Sequence, residues 1–170
     1  FNTYVYALET LGDGGVLIGG QLNYGGMKQP NEWVDQIDGS DASIARNENL
    51  WVLTGPNDKQ GNGWSYIKRQ FNYTGSITIN YTFENLDEES NYDWAFSYVS
   101  EYEPVGNTNI DFEDNIIANY NTNGSQTIYF NNGDWVSIGV YSVDSQSGPG
   151  ILSISEYTGL VKLNSDGTPN

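Results

Sequence analysis

The clearest pattern in the chain is a strict two-residue alternation between Ser76 and Phe83. Ile77, Ile79, Tyr81 and Phe83 take every second position, and small polar residues lie between them. A β-strand points successive side chains to opposite faces, whereas a helix would scatter these four residues around its circumference. The pattern therefore predicts a core strand with one face buried against a second sheet and the other face in water.

Similar short segments recur along the chain, whereas residues 27–50 are polar and irregular. Trp94, Phe96 and Tyr98 alternate with smaller residues, and Asn132-Gly133 between two apolar segments is a strong hairpin signal. The other predicted strands are 4–8, 16–18, 50–53, 64–67, 116–118 (a strand or a helical turn), 127–130, 135–143, 150–157 and 159–163. This spacing is typical of an antiparallel β-sandwich of the jelly-roll-like or CUB-like kind, so we predict an all-β fold.

Composition and charge narrow the set of possible functions. The 170 residues are rich in Gly, Tyr and other strand and turn formers, and they suit one domain or a domain with a smaller module. Six basic against 22 acidic residues give a net charge of −16, which excludes binding to a nucleic-acid backbone. No stretch approaches the roughly 18 apolar residues of a membrane span. Because the chain begins at Phe1 without a leader, we expect a processed product or a piece of a longer polypeptide.

The two ends of the chain share features of a single repeat. The motifs are Asp13-Gly14 in a turn, Gly19-Gly20 at a strand end, and Leu163-Asn164 with Asp166-Gly167 in a second turn. They resemble the delta-sixty type of β-propeller repeat, which occurs in secreted bacterial proteins and phage tail proteins, although Gly15 replaces the usual lysine. The resemblance implies propeller-blade-like strands in residues 1–26 and 159–170, with residues 27–158 as an inserted β-sandwich domain. The alternative is that both ends are edge strands of one sandwich.

No catalytic residue is predicted. The chain has no Cys and no His, so it lacks thiolates and the commonest acid–base catalyst. The carboxylates of residues 84–93 fall in and around a polar loop, where solvation keeps them charged, whereas a glycosidase needs one acid with a raised pKa. Nucleotide-binding and hydrolase motifs are also missing. We therefore expect a protein that is not an enzyme.

Two loops group oxygen donors of the kind that calcium binds. Calcium takes six to eight oxygen ligands, but neither loop has the spacing of an EF-hand. Calcium is thus a weak candidate, and no other cofactor is predicted. The candidate ligands are Asp35, Asp38 and Asp41 in the first loop and Asp111, Glu113 and Asp114 in the second.

Aromatic residues provide the candidate ligand-binding residues. Five Trp and 13 Tyr are many for this length, and exposed rings can stack on the faces of sugars. Trp33, Trp64 and Tyr102 lie in or beside polar loops and are the predicted ligand-binding residues. The strand patterns instead predict core positions for Trp51, Trp94 and Trp135.

Three functional hypotheses follow. The first is a non-catalytic structural or adhesive module of a virion appendage, such as a phage tail fibre or tail protein, with other copies of itself or other virion or surface subunits as partners. The second is a carbohydrate-binding module of a secreted bacterial protein, with a glycan as its ligand. The third is a subunit of an extracellular filament, in which Phe1 to Thr10 completes a neighbour's sheet. All three place the protein on a virion or outside the cell.

Overall fold

A computed structural model describes residues 4–10, 16–21, 33–47, 50–58, 60–86, 92–108 and 110–163, and strands dominate these ranges. The one helical element within them is a single 3-10 turn, Glu113–Asn115. The all-β prediction is confirmed. The strands are β1 Tyr4–Thr10, β2 Val16–Gln21, β3 Val34–Asp38, β4 Ser43–Arg46, β5 Trp51–Thr54, β6 Gly63–Gln70, β7 Gly75–Asn85, β8 Asp93–Ser100, β9 Ile116–Ala118, β10 Thr122–Phe130, β11 Trp135–Ser142 and β12 Gly150–Leu163.

The strands form two antiparallel sheets. Sheet I contains β10, β7 and β12, and the far side of β12 pairs first with β5 and then with β2. β4 extends sheet I from β5, and β1 extends it from β2. Sheet II has the order β3-β6-β11-β8-β9. The two sheets face each other as a β-sandwich, as predicted.

The main core lies between the sheets and is organised around β7. Ile77, Ile79, Tyr81 and Phe83 are all at most 8% exposed and pack in one cluster, which confirms the prediction from their alternation. Ile138 and Val140 of β11 and Leu152 and Ile154 of β12 belong to the same cluster. The polar residues of β7 are partly covered, so the outer face of this strand is less exposed than its pattern predicted.

Two connections cross side by side from one sheet to the other. Phe71 to Thr74 joins β6 of sheet II to β7 of sheet I, and residues 131–134 join β10 of sheet I to β11 of sheet II. The amide of Gly133 donates to the carbonyl of Phe71 at 2.7 Å, and the amide of Phe71 donates to the carbonyl of Asp134 at 2.9 Å. The hairpin prediction at Asn132-Gly133 is therefore wrong, because the turn forms but its flanking strands pair with other partners.

Residues 27–50 contain two strands that their polar pattern did not predict. β3 and β4 are edge strands with mostly exposed side chains, so the apolar alternation on which the prediction depends is missing. Both strands nevertheless pair along their length, β3 with β6 and β4 with β5.

The ends of the chain meet in sheet I. Val16 to Gly20 of β2 pair with Gly159 to Leu163 of β12, and β12 is one continuous strand through the predicted boundary at 158/159. The motifs Asp13-Gly14, Asn164 and Asp166-Gly167 lie outside the described residues. The division into a blade-like unit and an inserted domain stays a prediction. No helix in the described part of the chain is long and apolar enough to cross a membrane.

Candidate functional site

The outer face of sheet II carries a second set of aromatic side chains. Tyr66, Gly139 and Phe96 stand side by side on β6, β11 and β8, and Trp64, Tyr141 and Trp94 form the next row. These rings pack in a cluster separate from the main core. Sheet II is therefore apolar on both faces, and its outer face needs a cover.

Gly139 gives the rings on either side the space they occupy. A Cβ atom at this position would lie 2.3 Å from Cβ of Tyr66 and 2.4 Å from the carbonyl oxygen of Ser65. The rings of Tyr66 and Phe96 meet over it edge to face, with centroids 6.0 Å apart. A side chain on residue 139 would push them apart, so glycine here shapes the aromatic face.

The cover is the long connection between β8 and β9, residues 101–115, which we call the cover loop. Nζ of Lys68 donates to Oε1 of Glu103 at 2.9 Å and to the carbonyl oxygen of Pro104. The hydroxyl of Tyr66 donates to the carbonyl oxygen of Gly106 at 2.9 Å. These bonds hold the first half of the loop against β6.

Phe112 holds the second half of the cover loop in place. Its ring stacks on that of Tyr141, with centroids 4.2 Å apart and planes 13° apart, and meets Phe96 edge to face at 4.8 Å. It also lies nearly parallel to the ring of Trp64, with centroids 6.4 Å apart. Phe112 is 7% exposed, so the loop is a packed part of the structure.

An open cleft of about 550 Å³ remains between the cover loop and the outer face of β8 and β11. Its walls combine aromatic rings with hydroxyl and carboxylate oxygens. Tyr102 is the most accessible of its large side chains, with 69% of its surface exposed. The lining residues are Tyr98, Ser100, Tyr102, Ile110, Asp111, Phe112, Glu113 and Tyr141.

Local hydrogen bonds shape the walls of this cleft. The side chain of Ser100 accepts the amide of Tyr102 at 3.1 Å, which turns the chain away from β8 and leaves the Tyr102 ring outward. Oδ1 of Asp111 accepts the amide of Asp114 at 3.3 Å at the start of the 3-10 turn. The hydroxyl of Tyr141 accepts a hydrogen bond from Nδ2 of Asn62 at 3.0 Å.

The hydroxyl of Tyr66, under the cover loop, is held in its neutral form. Burial, with a smaller contribution from the negative charge of Glu103, raises the pKa of Tyr66 to about 12. A tyrosine must keep its proton to donate to the carbonyl of Gly106, so the raised pKa and the hydrogen bond agree. The cover loop is thus held by a neutral donor and by the charged Lys68.

The three predicted ligand-binding residues have different surroundings. Tyr102 lines the cleft, and Trp64 is part of the same aromatic face, where Phe112 covers one side of its ring. Trp33 is 3% exposed and packs against Trp51 and Phe71 in the main core. The structure therefore brings Tyr102 and Trp64 to one face of the molecule and places Trp33 elsewhere.

The candidate calcium ligands do not gather around a common point. Asp35 forms an ion pair with Arg46 at 2.7 Å, and Oδ1 of Asp41 accepts the amide of Asn57 at 2.9 Å. Asp111 and Glu113 line the cleft. Within the described ranges, no three acidic side chains are arranged to hold a metal ion.

Most residues that line the cleft were not predicted from the sequence as ligand-binding residues. Tyr98 was predicted as part of a two-sided strand, Trp94 and Trp135 were predicted as core, and Tyr141 and Phe112 were not singled out. Trp94 and Trp135 are partly buried on the outer face, whereas Trp51 lies in the main core as predicted. The available signal was β8 itself, where large rings alternate with Ala95 and Val99, so that both faces are apolar and both need cover.

Comparison with known proteins gives similarity in structure alone. Neither a protein-family model nor a curated protein sequence matches this chain. The K3 adhesin domain of Lys-gingipain from Porphyromonas gingivalis is 11% identical, with a TM-score of 0.47 over 93% of this chain and 99% of that one. TmCBM27, a carbohydrate-binding module that recognises mannan, is 10% identical, with a TM-score of 0.41 over 96% and 99%. The N-terminal cellulose-binding domain of a Cellulomonas fimi glucanase is 10% identical, with a TM-score of 0.37 over 77% and 88%. At these scores no residue's role is transferred from those proteins.

Proposed function

We propose that this protein is a non-catalytic carbohydrate-binding module that holds a glycan in the cleft on the outer face of sheet II. The observation that carries the proposal is the composition of the cleft, in which tyrosine rings stand beside hydroxyl and carboxylate oxygens. The C–H faces of a pyranose pack on aromatic rings, and its hydroxyls donate to carboxylates. Binding sites of this kind combine apolar walls with a few placed polar groups.

The arrangement of the rings in the cleft suits ligand binding better than aromatic residues scattered over a surface would. Tyr98 and Tyr141 are fixed on strands, and Phe112 is packed between neighbouring rings, so the rings are oriented before a ligand arrives. Tyr102 is free to close over a bound sugar because most of its surface is exposed. Little ordering is then needed on binding, which favours affinity.

The test is a glycan array followed by titration calorimetry on the glycans that bind. We expect saturable binding, and we expect Tyr102→Ala to weaken it about fivefold, since one stacked ring contributes about 1 kcal/mol. Tyr129→Ala is the matched control, because Tyr129 is 74% exposed on β10 of the other sheet. A blank array, or equal losses in the two variants, would overturn the proposal.

A role in a virion appendage stays a prediction, since it rests on the motifs at the chain ends. Sequencing the parent gene tests it directly. Tandem copies of the terminal motifs around this segment would support a repeat protein with an inserted module. A glycan-binding module placed outside the cell is compatible with either setting.

A further inference from the structure

The cleft is negatively charged and has no cation on its walls. Asp111 and Glu113 are exposed and line it, and the other lining residues are uncharged. Neither carboxylate forms an ion pair with a lysine or arginine of the described part of the chain. The nearby Lys68 is only 3% exposed, and Glu103 at 2.9 Å neutralises it.

The rings of the cleft attract positive charge as well. The face of a tyrosine or phenylalanine ring carries negative potential, and a cation within about 6 Å of its centroid is stabilised by roughly 0.5–1 kcal/mol at an exposed site. Tyr98 and Tyr102 supply such rings beside the two carboxylates, whereas Phe112 and Tyr141 stack on each other. An anionic sugar would meet repulsion from both groups, and a neutral sugar would use the two carboxylates only as hydrogen-bond acceptors.

The net charge of the whole molecule also favours cationic ligands. Its net charge of −16 draws cationic ligands toward it over a Debye length and repels acidic polymers. Charge on the whole surface affects the rate of association, whereas Asp111 and Glu113 act on the bound sugar. The two effects can be separated, because substitutions in the cleft leave most of the net charge in place.

We infer that the cleft selects glycans whose sugars carry a free amine, with the ammonium group held by Asp111 and Glu113 among the tyrosine rings. This inference rests on the proposed glycan-binding function and specifies its ligand class. In this arrangement Tyr102 stacks on the sugar ring, and the two carboxylates select sugars that carry a positive charge. Amine-bearing sugars are thus distinguished from their N-acetylated counterparts by charge and not by ring shape.

The test compares two oligosaccharides of equal length, a β-1,4-linked glucosamine hexamer and its fully N-acetylated form. Titration calorimetry at about pH 5 keeps most of the sugar amines protonated. We expect the free-amine hexamer to bind at least about fivefold more tightly, as two weak ion pairs and a cation–π contact allow. Raising the salt concentration from 0.05 to 0.5 M should reduce that preference.

Variants locate the preference in the cleft. Asp111→Asn combined with Glu113→Gln keeps the size of both side chains, removes both charges, and replaces one acceptor oxygen of each with an NH2 donor. We expect the double variant to bind the two hexamers with similar affinities, because the free-amine hexamer should lose more affinity than the N-acetylated one. Glu84→Gln is the control, because Glu84 is an exposed acid on β7 of the other sheet.

The outcomes separate this inference from the function on which it rests. Equal or tighter binding of the N-acetylated hexamer overturns the inference and leaves glycan binding in place. A preference that survives in the double variant also overturns it, because the cleft carboxylates would not be its source. Absence of binding to either hexamer and to every glycan on the array overturns both.

Discussion

Gly124 of β10 has no room for a side chain because the ring of Tyr81 covers it. A Cβ atom there would lie 2.5 Å from the Tyr81 hydroxyl oxygen and 2.6 Å from Cζ. The hydroxyl of Tyr81 in turn donates to the carbonyl oxygen of Ile117 at 3.0 Å, which links sheet I to β9 of sheet II. A small residue in one strand thus allows a bond between the two sheets.

Gly124→Ala should destabilise the protein by about 1–3 kcal/mol, because the Tyr81 ring must move off the strand and its bond to Ile117 must weaken. Urea denaturation measures the free energy of unfolding. Ser125→Ala is the control, since Ser125 is the exposed neighbour on the same strand. A loss in Gly124→Ala no larger than in the control would show that the ring shifts without cost.

The raised pKa of Tyr66 predicts a dependence of stability on pH at the alkaline end. In the unfolded chain a tyrosine loses its proton near pH 10, whereas in the folded protein the pKa of Tyr66 is about 12. Between these values the folded state holds more protons, so the free energy of unfolding should fall as pH rises from about 10 to about 12.

Tyr66→Phe tests this contribution. Below pH 10 the variant should be less stable by about 1 kcal/mol, because the hydrogen bond to Gly106 is lost. As pH rises the difference from the native protein should shrink, since phenylalanine does not titrate. Tyr129→Phe serves as the comparison at an exposed position. Parallel pH profiles for the native protein and Tyr66→Phe would contradict the prediction.

The sequence predicts which individual side chains are buried where their burial depends on the strand alone. Ile77 and Phe83 follow from alternation, because a strand's own geometry decides which side chains share a face. Trp33 shows the limit, because its polar neighbours along the chain favoured exposure. In space it packs edge to face on Trp51, with centroids 5.8 Å apart. That contact depends on how the sheets close, which no local pattern contains.

Among the elements, the cover loop depends most on a single residue. Lys68 is a buried cation on β6 that binds two successive residues of the loop, and its Nζ lies 5.6 Å from the centroid of the Trp135 ring. A buried charge costs desolvation unless it is paired, and here Glu103 supplies the partner at the surface. The lysine therefore ties the position of the loop to the strand beneath it.

Lys68→Met should loosen the cover loop while leaving the sandwich folded. Methionine fills the apolar part of the lysine's space, and the lone Glu103 left behind is 53% exposed and remains solvated. We expect faster hydrogen exchange for the amides of residues 101–115 and weaker glycan binding, with far-UV circular dichroism unchanged.

Glu103→Gln is the intermediate variant, because it removes the ion pair and keeps the bond from Lys68 to Pro104. It should loosen the loop less than Lys68→Met does. Unchanged exchange in both variants would show that Phe112 alone holds the loop.

The sequence predicted most of the segments that form strands, but it did not predict which strands pair with each other. Asn132-Gly133 has the turn chemistry of a hairpin, and Gly133 does adopt a φ of +96°. The turn connects two different sheets, and the backbone of Phe71, in the neighbouring connection between the sheets, forms hydrogen bonds with it. β3 was missed for a different reason, since an edge strand with exposed side chains carries no apolar alternation. Pairing is a long-range property, so local patterns left it open.

For the whole molecule, β12 connects the terminal strands to the sandwich. β7 pairs with β12 from Gly150 to Val161, so the second half of β12 has a partner in the sandwich as well as in β2. β2 and β7 thus share β12 as a common partner, one on each side of its second half.

Deletion of residues 1–21 should leave a folded sandwich. We expect a single cooperative thermal transition and preserved near-UV circular dichroism from Trp33 and Trp51, with the melting temperature lowered by no more than about 10 °C, since pairing is lost along one edge alone.

The shortened protein would expose residues 159–163 of β12 as an open edge, and such edges recruit strands. A synthetic peptide of residues 1–21 should therefore raise its melting temperature, as strand addition requires. Loss of cooperative unfolding would instead show that β1, β2 and the sandwich form one inseparable unit, against the division into two.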